Sequence, residues 1–168
     1  METWPNLSAK SDSPPIDEAQ FRQLVGSLIY LTFTRPDLSF VVRYISRFMI
    51  APMVDHWVAM KHMLRYVKGT FDYGLVYTRS HEPRLSGFID SDWEGSVDDR
   101  KSKSGYVFIL GFGAVTWTTK NKQAVALSSI EEEYRGATKA TCEVVWLRQM
   151  LTDMQISQAG PTPLFYDN

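Results

Sequence analysis

The sequence predicts an α/β (α+β) fold with helices first and a mixed sheet after, and three observations carry that prediction. Apolar residues recur at three- and four-residue spacing from Asp17 to Lys68, the period of helices that bury one face. Ser104–Leu110 and Ala114–Thr119 alternate instead, and Gly111-Phe112-Gly113 joins them as a hairpin turn. A long helical pattern from Ser128 to about Leu151 then separates these runs from a last apolar stretch, Leu164-Phe165-Tyr166. The order is three helices, then β-β-β-α-β.

Each element has its own signal. Residues 1–17 hold Pro5, Pro14 and Pro15 among Ser, Asp and Lys and are expected to form a flexible leader. The first helix starts after Asp17, with Phe21, Leu24, Val25, Leu28 and Leu31 on one face. Pro36 opens the second, where proline's missing N–H costs nothing, and Leu38, Val41, Val42, Ile45 and Phe48 form its stripe, which Pro52 ends. The third runs from Val54 to Lys68 with Val58, Met60, Met63, Leu64 and Val67 inward and Gly69 as its stop. Tyr73–Thr78 and Arg84–Asp90 are expected as strands ahead of the hairpin. Ser128 and Ser129 with the glutamates after them supply a capping pattern for the long helix. The boundaries are 1–17 for the leader, 18–80 for the helical part and 81–168 for the sheet part.

Composition narrows the function. The chain has 168 residues, 44% hydrophobic and 22% charged, which suits an ordinary folded domain or two small ones and excludes wholesale disorder. A net charge of −1 excludes a strongly basic nucleic-acid coat protein. Cys142, the single cysteine, excludes an intramolecular disulfide scaffold or a Cys-rich zinc site and fits a reducing compartment. It is expected as a buried small hydrophobe in the long helix. The run Leu24–Phe33 is too short to span a bilayer, so no membrane partner is expected. Residues 1–13 lack the apolar core of a signal peptide.

The charge is uneven. Between Gln20 and Lys68 stand seven Lys/Arg against Asp37 and Asp55, a segment near +5, whereas residues 81–168 hold nine basic and twelve acidic residues, near −3. A basic helical part beside an acidic sheet part suits nucleic-acid binding coupled to a metal site, although amphipathic helices carry such arginines for solvation alone. Arg100, Lys101 and Lys103 form a basic loop able to meet backbone phosphates, or simply a solvated hairpin. Trp93 and Trp117 are expected in the core, and His56, His62 and His81 have no metal-ligand spacing.

The acids sit at strand and helix ends. Asp90 closes Leu85-Ser86-Gly87-Phe88-Ile89, with Asp92 and Glu94 following; Glu131, Glu132 and Glu133 open the long helix; Asp167 ends the last strand. Singly, each has a structural explanation in turns or the helix dipole. Together they say more. A strand–helix–strand unit makes its strands parallel, so neighbouring Asp90 and Asp167 strands would bring both aspartates to carboxyl ends, where open α/β sheets take ligands. A glutamate of the helix would complete a cluster whose all-oxygen donors favour Mg²⁺ or Mn²⁺. Two such ions about 3.5–4 Å apart activate water and stabilise the leaving oxygen of a phosphodiester. Glu133 shares a face with Ala137, Ala140 and Val144 and is the first choice; Glu131, placed to cap Ser128 or Ser129, is its rival.

The run Phe21–Leu31 with Thr34-Arg35-Pro36-Asp37, and Leu64–Thr70 followed by Asp72-Tyr73-Gly74-Leu75, resemble the end of the reverse transcriptase of copia-type LTR retrotransposon Pol polyproteins. Asp90-Ser91-Asp92-Trp93-Glu94-Gly95, Asp98–Tyr106, Ala126–Tyr134 and Tyr166-Asp167-Asn168 resemble successive motifs of the ribonuclease H domain in the same polyproteins. The blocks cover roughly residues 18–168 in the family's order. The resemblance implies a ribonuclease H-like mixed sheet behind a thumb- or connection-like helical segment. It implies Mg²⁺-dependent hydrolysis of RNA in RNA–DNA hybrids, with Mn²⁺ as a substitute, and Asp90, Glu133 and Asp167 as the metal-binding acids. Arg43, Arg47, Arg65 and Lys68 would grip the duplex, together with the loop of Arg100, Lys101 and Lys103. The partners implied are hybrid or duplex nucleic acid and the remainder of the Pol polyprotein. The setting implied is cytoplasmic, in virus-like particles, with the nucleus as the alternative. Ile130 stands where the family has Thr, and Ser96 where it has an acid. The polymerase aspartates are absent, so no copying activity is expected. The family's fourth acid, final strand and later helices are absent as well, so the expectation is a partial domain of weak activity, or an inactive remnant that at most binds nucleic acid.

Overall fold

The computed structural model describes residues 7–9, 12–79, 83–92, 103–121 and 129–166. The elements follow as α1 (Glu18–Leu31), α2 (Pro36–Ser46), α3 (Val54–Gly69), β1 (Leu85–Asp92), β2 (Lys103–Leu110), β3 (Gly113–Asn121), α4 (Ser129–Asp153) and β4 (Leu164–Tyr166). The chain divides into two compact units, Met1–Leu75 and Val76–Asn168.

The first unit is the three-helix part. Asp17 caps α1, its carboxylate accepting from the backbone N–H of Ala19 at 2.8 Å. The expected stripes of α1 and α2 meet in one core of Phe21, Val25, Leu28, Leu38, Val41, Val42 and Ile45, to which Phe48 is added beyond the end of α2. Met60 and Met63 of α3 complete it, but Val58, expected inward, is 57% exposed. Ala59 and His56 are buried in its place, because the inward arc of α3 is centred on Met60 and Met63, and Val58 lies well round the helix from both.

The segment expected to be a flexible leader is held to the helices at several points. Leu7 is buried in the core, and its N–H and C=O both bond the Tyr44 hydroxyl, at 2.9 and 3.1 Å. Pro14 O accepts from Val54 N–H at 2.9 Å and Ser13 Oγ from Asp55 N–H at 3.4 Å. These are N–H groups that the first turn of α3 cannot satisfy within the helix, so the leader serves as that helix's cap. His56 completes the arrangement. Its Nδ1 accepts from Met53 N–H at 3.0 Å, which leaves Nε2 to donate to Ser8 O at 3.1 Å, and its ring stacks on Phe48.

The second unit is a four-stranded mixed sheet in the order β3-β2-β1-β4, with β1–β2 and β2–β3 antiparallel and β1–β4 parallel. Leu110 pairs with Gly113 across a two-residue turn, and Gly111 has the positive φ (64°) that its first position demands. Tyr73–Thr78, expected as a strand, forms no strand pairing among the described residues. Within it, Tyr77 donates its hydroxyl to Ala114 O at 2.7 Å, a side-chain attachment in place of a backbone ladder. One sheet face is packed: Leu85, Ile89 and Phe108 meet Ala140, Leu147 and Leu151 of α4. Gly87 sits between them, where a Cβ would lie 2.4 Å from a Phe108 ring carbon and 2.7 Å from Leu164 Cδ2. Cys142, expected buried, is exposed, because it stands two residues from Ala140 and therefore on the opposite side of α4. Trp117 is half-buried, and Trp93 lies outside the described residues.

Candidate active site

β1 and β4 are parallel neighbours, with Gly87 opposite Leu164, Phe88 opposite Phe165 and Ile89 opposite Tyr166. Asp90 and Asp167 are the next residues of the two chains. The connection between β3 and β4 runs through α4, which packs across β1. The juxtaposition of strands that the sequence pattern required is therefore present.

The three acids are described to different extents. Asp90 lies in β1 opposite Gly105 of β2 and is exposed, and the strand runs on to Asp92, two residues further than expected. Leu85, Gly87 and Ile89 are buried while Phe88 and Asp90 are exposed, so the pleat turns Asp90 to the face away from α4. Glu133 lies in the second turn of α4, in line with buried Gly136, Ala140 and Leu147 at helical spacing; its side chain is outside the described residues. Asp167 is outside them altogether. Glu131, the rival of Glu133, forms an i,i+4 ion pair with Arg135 at 2.7 Å, a surface role for its carboxylate. Among the described residues, no three His, Cys, Asp or Glu side chains are grouped to hold a metal.

Two phenols of the sheet unit are raised by burial. Glu143 of α4 points toward the sheet and accepts from Thr116 Oγ1 at 3.2 Å. Burial, reinforced by the Glu143 charge, pushes the Tyr106 phenol up to about 12. Burial likewise raises Tyr166, one residue ahead of Asp167.

The basic residues separate by unit. Arg43 is exposed on α2, and Arg47, one turn later, places its guanidinium 5.9 Å from the Tyr44 ring. Arg65 and Lys68 are exposed on α3 at i,i+3 spacing, hence on one face. Lys103 opens β2; its side chain, and all of Arg100 and Lys101, lie outside the described residues.

The sequence reading missed one polar centre. Arg35 is only 5% exposed. Its guanidinium donates to both carboxylate oxygens of Asp37 (2.9 and 2.7 Å) and to the carbonyl and hydroxyl of Thr70 (2.7 and 2.9 Å). Tyr66 donates to Asp37 at 3.1 Å. The bond from Arg35 holds the Asp37 carboxyl below its ordinary value and raises the guanidinium in turn. Two of the blocks that carry the family resemblance, Thr34–Asp37 and Leu64–Thr70, thus meet in one network. Its signal in the sequence was an arginine flanking Pro36 with an acid two residues on, which looks like any helix start.

A four-stranded mixed sheet crossed by one helix, following a three-helix unit in the chain, defines an α+β protein. The chain belongs to the retrovirus-related Pol polyprotein family of copia-type retrotransposons. It is 39% identical over all 168 residues to the Pol polyprotein of transposon RE2 and 37% identical to that of RE1, both of Arabidopsis thaliana. It spans 12% of the length of each. It is also 47% identical over 124 residues to secreted RxLR effector protein 161 of Plasmopara viticola, covering 73% of this chain and 87% of that protein. No family model matches the chain. No solved structure matches it. Among the described residues, no helix is long and apolar enough to cross a membrane.

Proposed function

We propose that the second unit is a ribonuclease H-like domain that hydrolyses the RNA strand of RNA–DNA hybrids, and that the helical unit is the thumb- or connection-like end of a reverse transcriptase. The observation that supports this most is the parallel pairing of β1 with β4 across α4, because it joins the strands that lead into Asp90 and Asp167. Asp90, Glu133 and Asp167 would hold Mg²⁺ (or Mn²⁺), and the fit rests on donor chemistry: three carboxylates offer only oxygen, and the described Asp90 is open to solvent. The ion, when bound, would lower the pKa of a water and neutralise charge on the scissile phosphate. The residues' own task is to supply negative charge in a fixed frame. Since Asp90 stands on the pleat away from α4, the acids would meet at the strand ends and not across the sheet face. Arg43, Arg47, Arg65 and Lys68, with Arg100, Lys101 and Lys103, would contact backbone phosphates.

Purified protein with a labelled RNA–DNA hybrid in Mg²⁺ and in Mn²⁺ tests the proposal, with Asp90→Asn and Glu133→Gln as controls. Metal-dependent cleavage lost in both variants is the expected result. Folded protein that leaves the hybrid intact overturns it. The second reading, a catalytically inactive remnant that binds nucleic acid through its basic helices, is favoured by one observation: most of an oomycete protein far shorter than a Pol polyprotein is covered by this chain. Salt-sensitive duplex binding without cleavage would select it.

A further inference from the structure

β4 is three residues long and, among the described residues, pairs with β1 alone, so its own ladder is a weak determinant of register. Register matters more here than in most strands. A slip of one residue would move Leu164, Phe165 and Tyr166 by about 3.3 Å along the strand and turn each to the other face. Two side chains outside the acidic site bear on this. Arg148 of α4 directs its guanidinium at the connection into β4, donating to Gln158 O (3.0 Å), Gly160 O (2.9 Å) and Thr162 Oγ1 (3.0 Å). Gln158 in turn holds the start of β1, its carbonyl oxygen accepting from Leu85 N–H and its amide donating to Pro83 O, both at 2.9 Å. The chain then enters β4 with Gly87 N–H bonded to Pro163 O at 3.0 Å.

These bonds tie α4, the beginning of β1 and the beginning of β4 to one another. The guanidinium spends its rigid fork on three neutral acceptors spread over five residues of chain. That is a use lysine cannot copy with a single ammonium. No surface charge pairing explains it, since among the described residues Arg148 has no carboxylate within ion-pair distance.

We infer that Arg148 and Gln158 are positioning residues that set the register of β4, the strand that leads in sequence to Asp167, against β1. The inference rests on the proposed metal site for its functional half, while the register half stands on the hydrogen bonds alone. Hydrogen exchange and Mn²⁺ titration of the full chain, wild type against Arg148→Ala, Arg148→Lys and Gln158→Ala, test both halves. The expected result is faster exchange in residues 163–166 with protection of β2 and β3 retained, and Mn²⁺ affinity lowered about 10–100-fold, the range for losing support behind a metal ligand. Arg148→Lys should restore neither.

Unchanged exchange at 163–166 in both alanine variants overturns the clamp. Faster exchange with undiminished Mn²⁺ affinity overturns its link to the acids. Wild-type protein that binds no Mn²⁺ overturns the metal site and the link to it together, and the exchange data then still decide the register role. If Arg148→Ala strips protection from β2 and β3 as well, Thr162→Val, which removes one bond only, carries the same comparison.

Discussion

At the scale of single residues, Arg35 is the position where most depends on one side chain. Its four bonds link the N-terminus of α2 to the residue that closes α3, and with alanine there Asp37 and Thr70 each lose two donated bonds. Asp37 keeps over a third of its surface in water, so the cost lies below that of a fully buried pair. Arg35→Ala should destabilise the first unit by about 2–3 kcal/mol in urea unfolding, and Arg35→Lys should recover less than half of that. The same network gives an acid sensitivity. The folded Asp37 carboxyl is held below its ordinary 3.8, so its contribution is complete above that value and is lost as the pH falls through it and lower. The wild type should therefore lose more stability between neutral pH and the acid range than Asp37→Asn does. Gln155 offers the opposite case. It has φ +62° at the end of α4, where Ile156 N–H returns to Leu151 O and Gln155 N–H to Thr152 O, the pattern that ordinarily employs glycine. Gln155→Gly should raise stability by about 0.5–1 kcal/mol, the relief of a left-handed side chain less glycine's added entropy when unfolded.

At the scale of elements, what could be read from the sequence was whatever repeats. The stripes of α1 and α2, the G-F-G hairpin and the crossover into β4 all follow from period and turn chemistry, and each is where it was expected. What could not be read was contact between distant parts of the chain. The leader's Pro and Ser residues look like linker composition, yet Ser13 and Pro14 cap α3 from about forty residues away, and no local pattern announces that. Tyr73–Thr78 has the β-branched and aromatic content of a strand, yet among the described residues it forms no strand pairing. The candidate site divides along the same line. Strand adjacency follows from topology, whereas Arg148 and Gln158 had no signal in the sequence because four of their five partners are backbone atoms, which leave no residue-type signature. The packing of α4 on β1 is testable directly. Leu147 is 2% exposed between Ala140 and Leu151, so Leu147→Ala should cost the second unit about 2–5 kcal/mol, read as a lowered unfolding midpoint.

At the scale of the whole molecule, each unit has its own core, around Phe21, Ile45 and Met60 in the first and around Leu85, Phe108 and Leu147 in the second. Their charges also differ in sign, near +5 for residues 20–68 and near −3 for 81–168. The proposed functions divide in the same way, with phosphate contact mainly in the first unit and hydrolysis in the second. An ordinary solvated helix surface and a phosphate-contacting one differ in their response to salt, since only the latter releases condensed counterions. If Arg43, Arg47, Arg65 and Lys68 all neutralise phosphates, the logarithm of the duplex binding constant should fall against the logarithm of salt concentration with a slope of about −2 to −4. Replacing Arg65 and Lys68 by alanine should flatten that slope by about two, equally for unrelated duplex sequences, because backbone contacts carry no sequence information. Both side chains are exposed, so the double variant should keep the unfolding midpoint of the wild type. A slope that does not change would assign these cations to solvation and move the proposed duplex contact to the second unit, onto the loop of Arg100, Lys101 and Lys103.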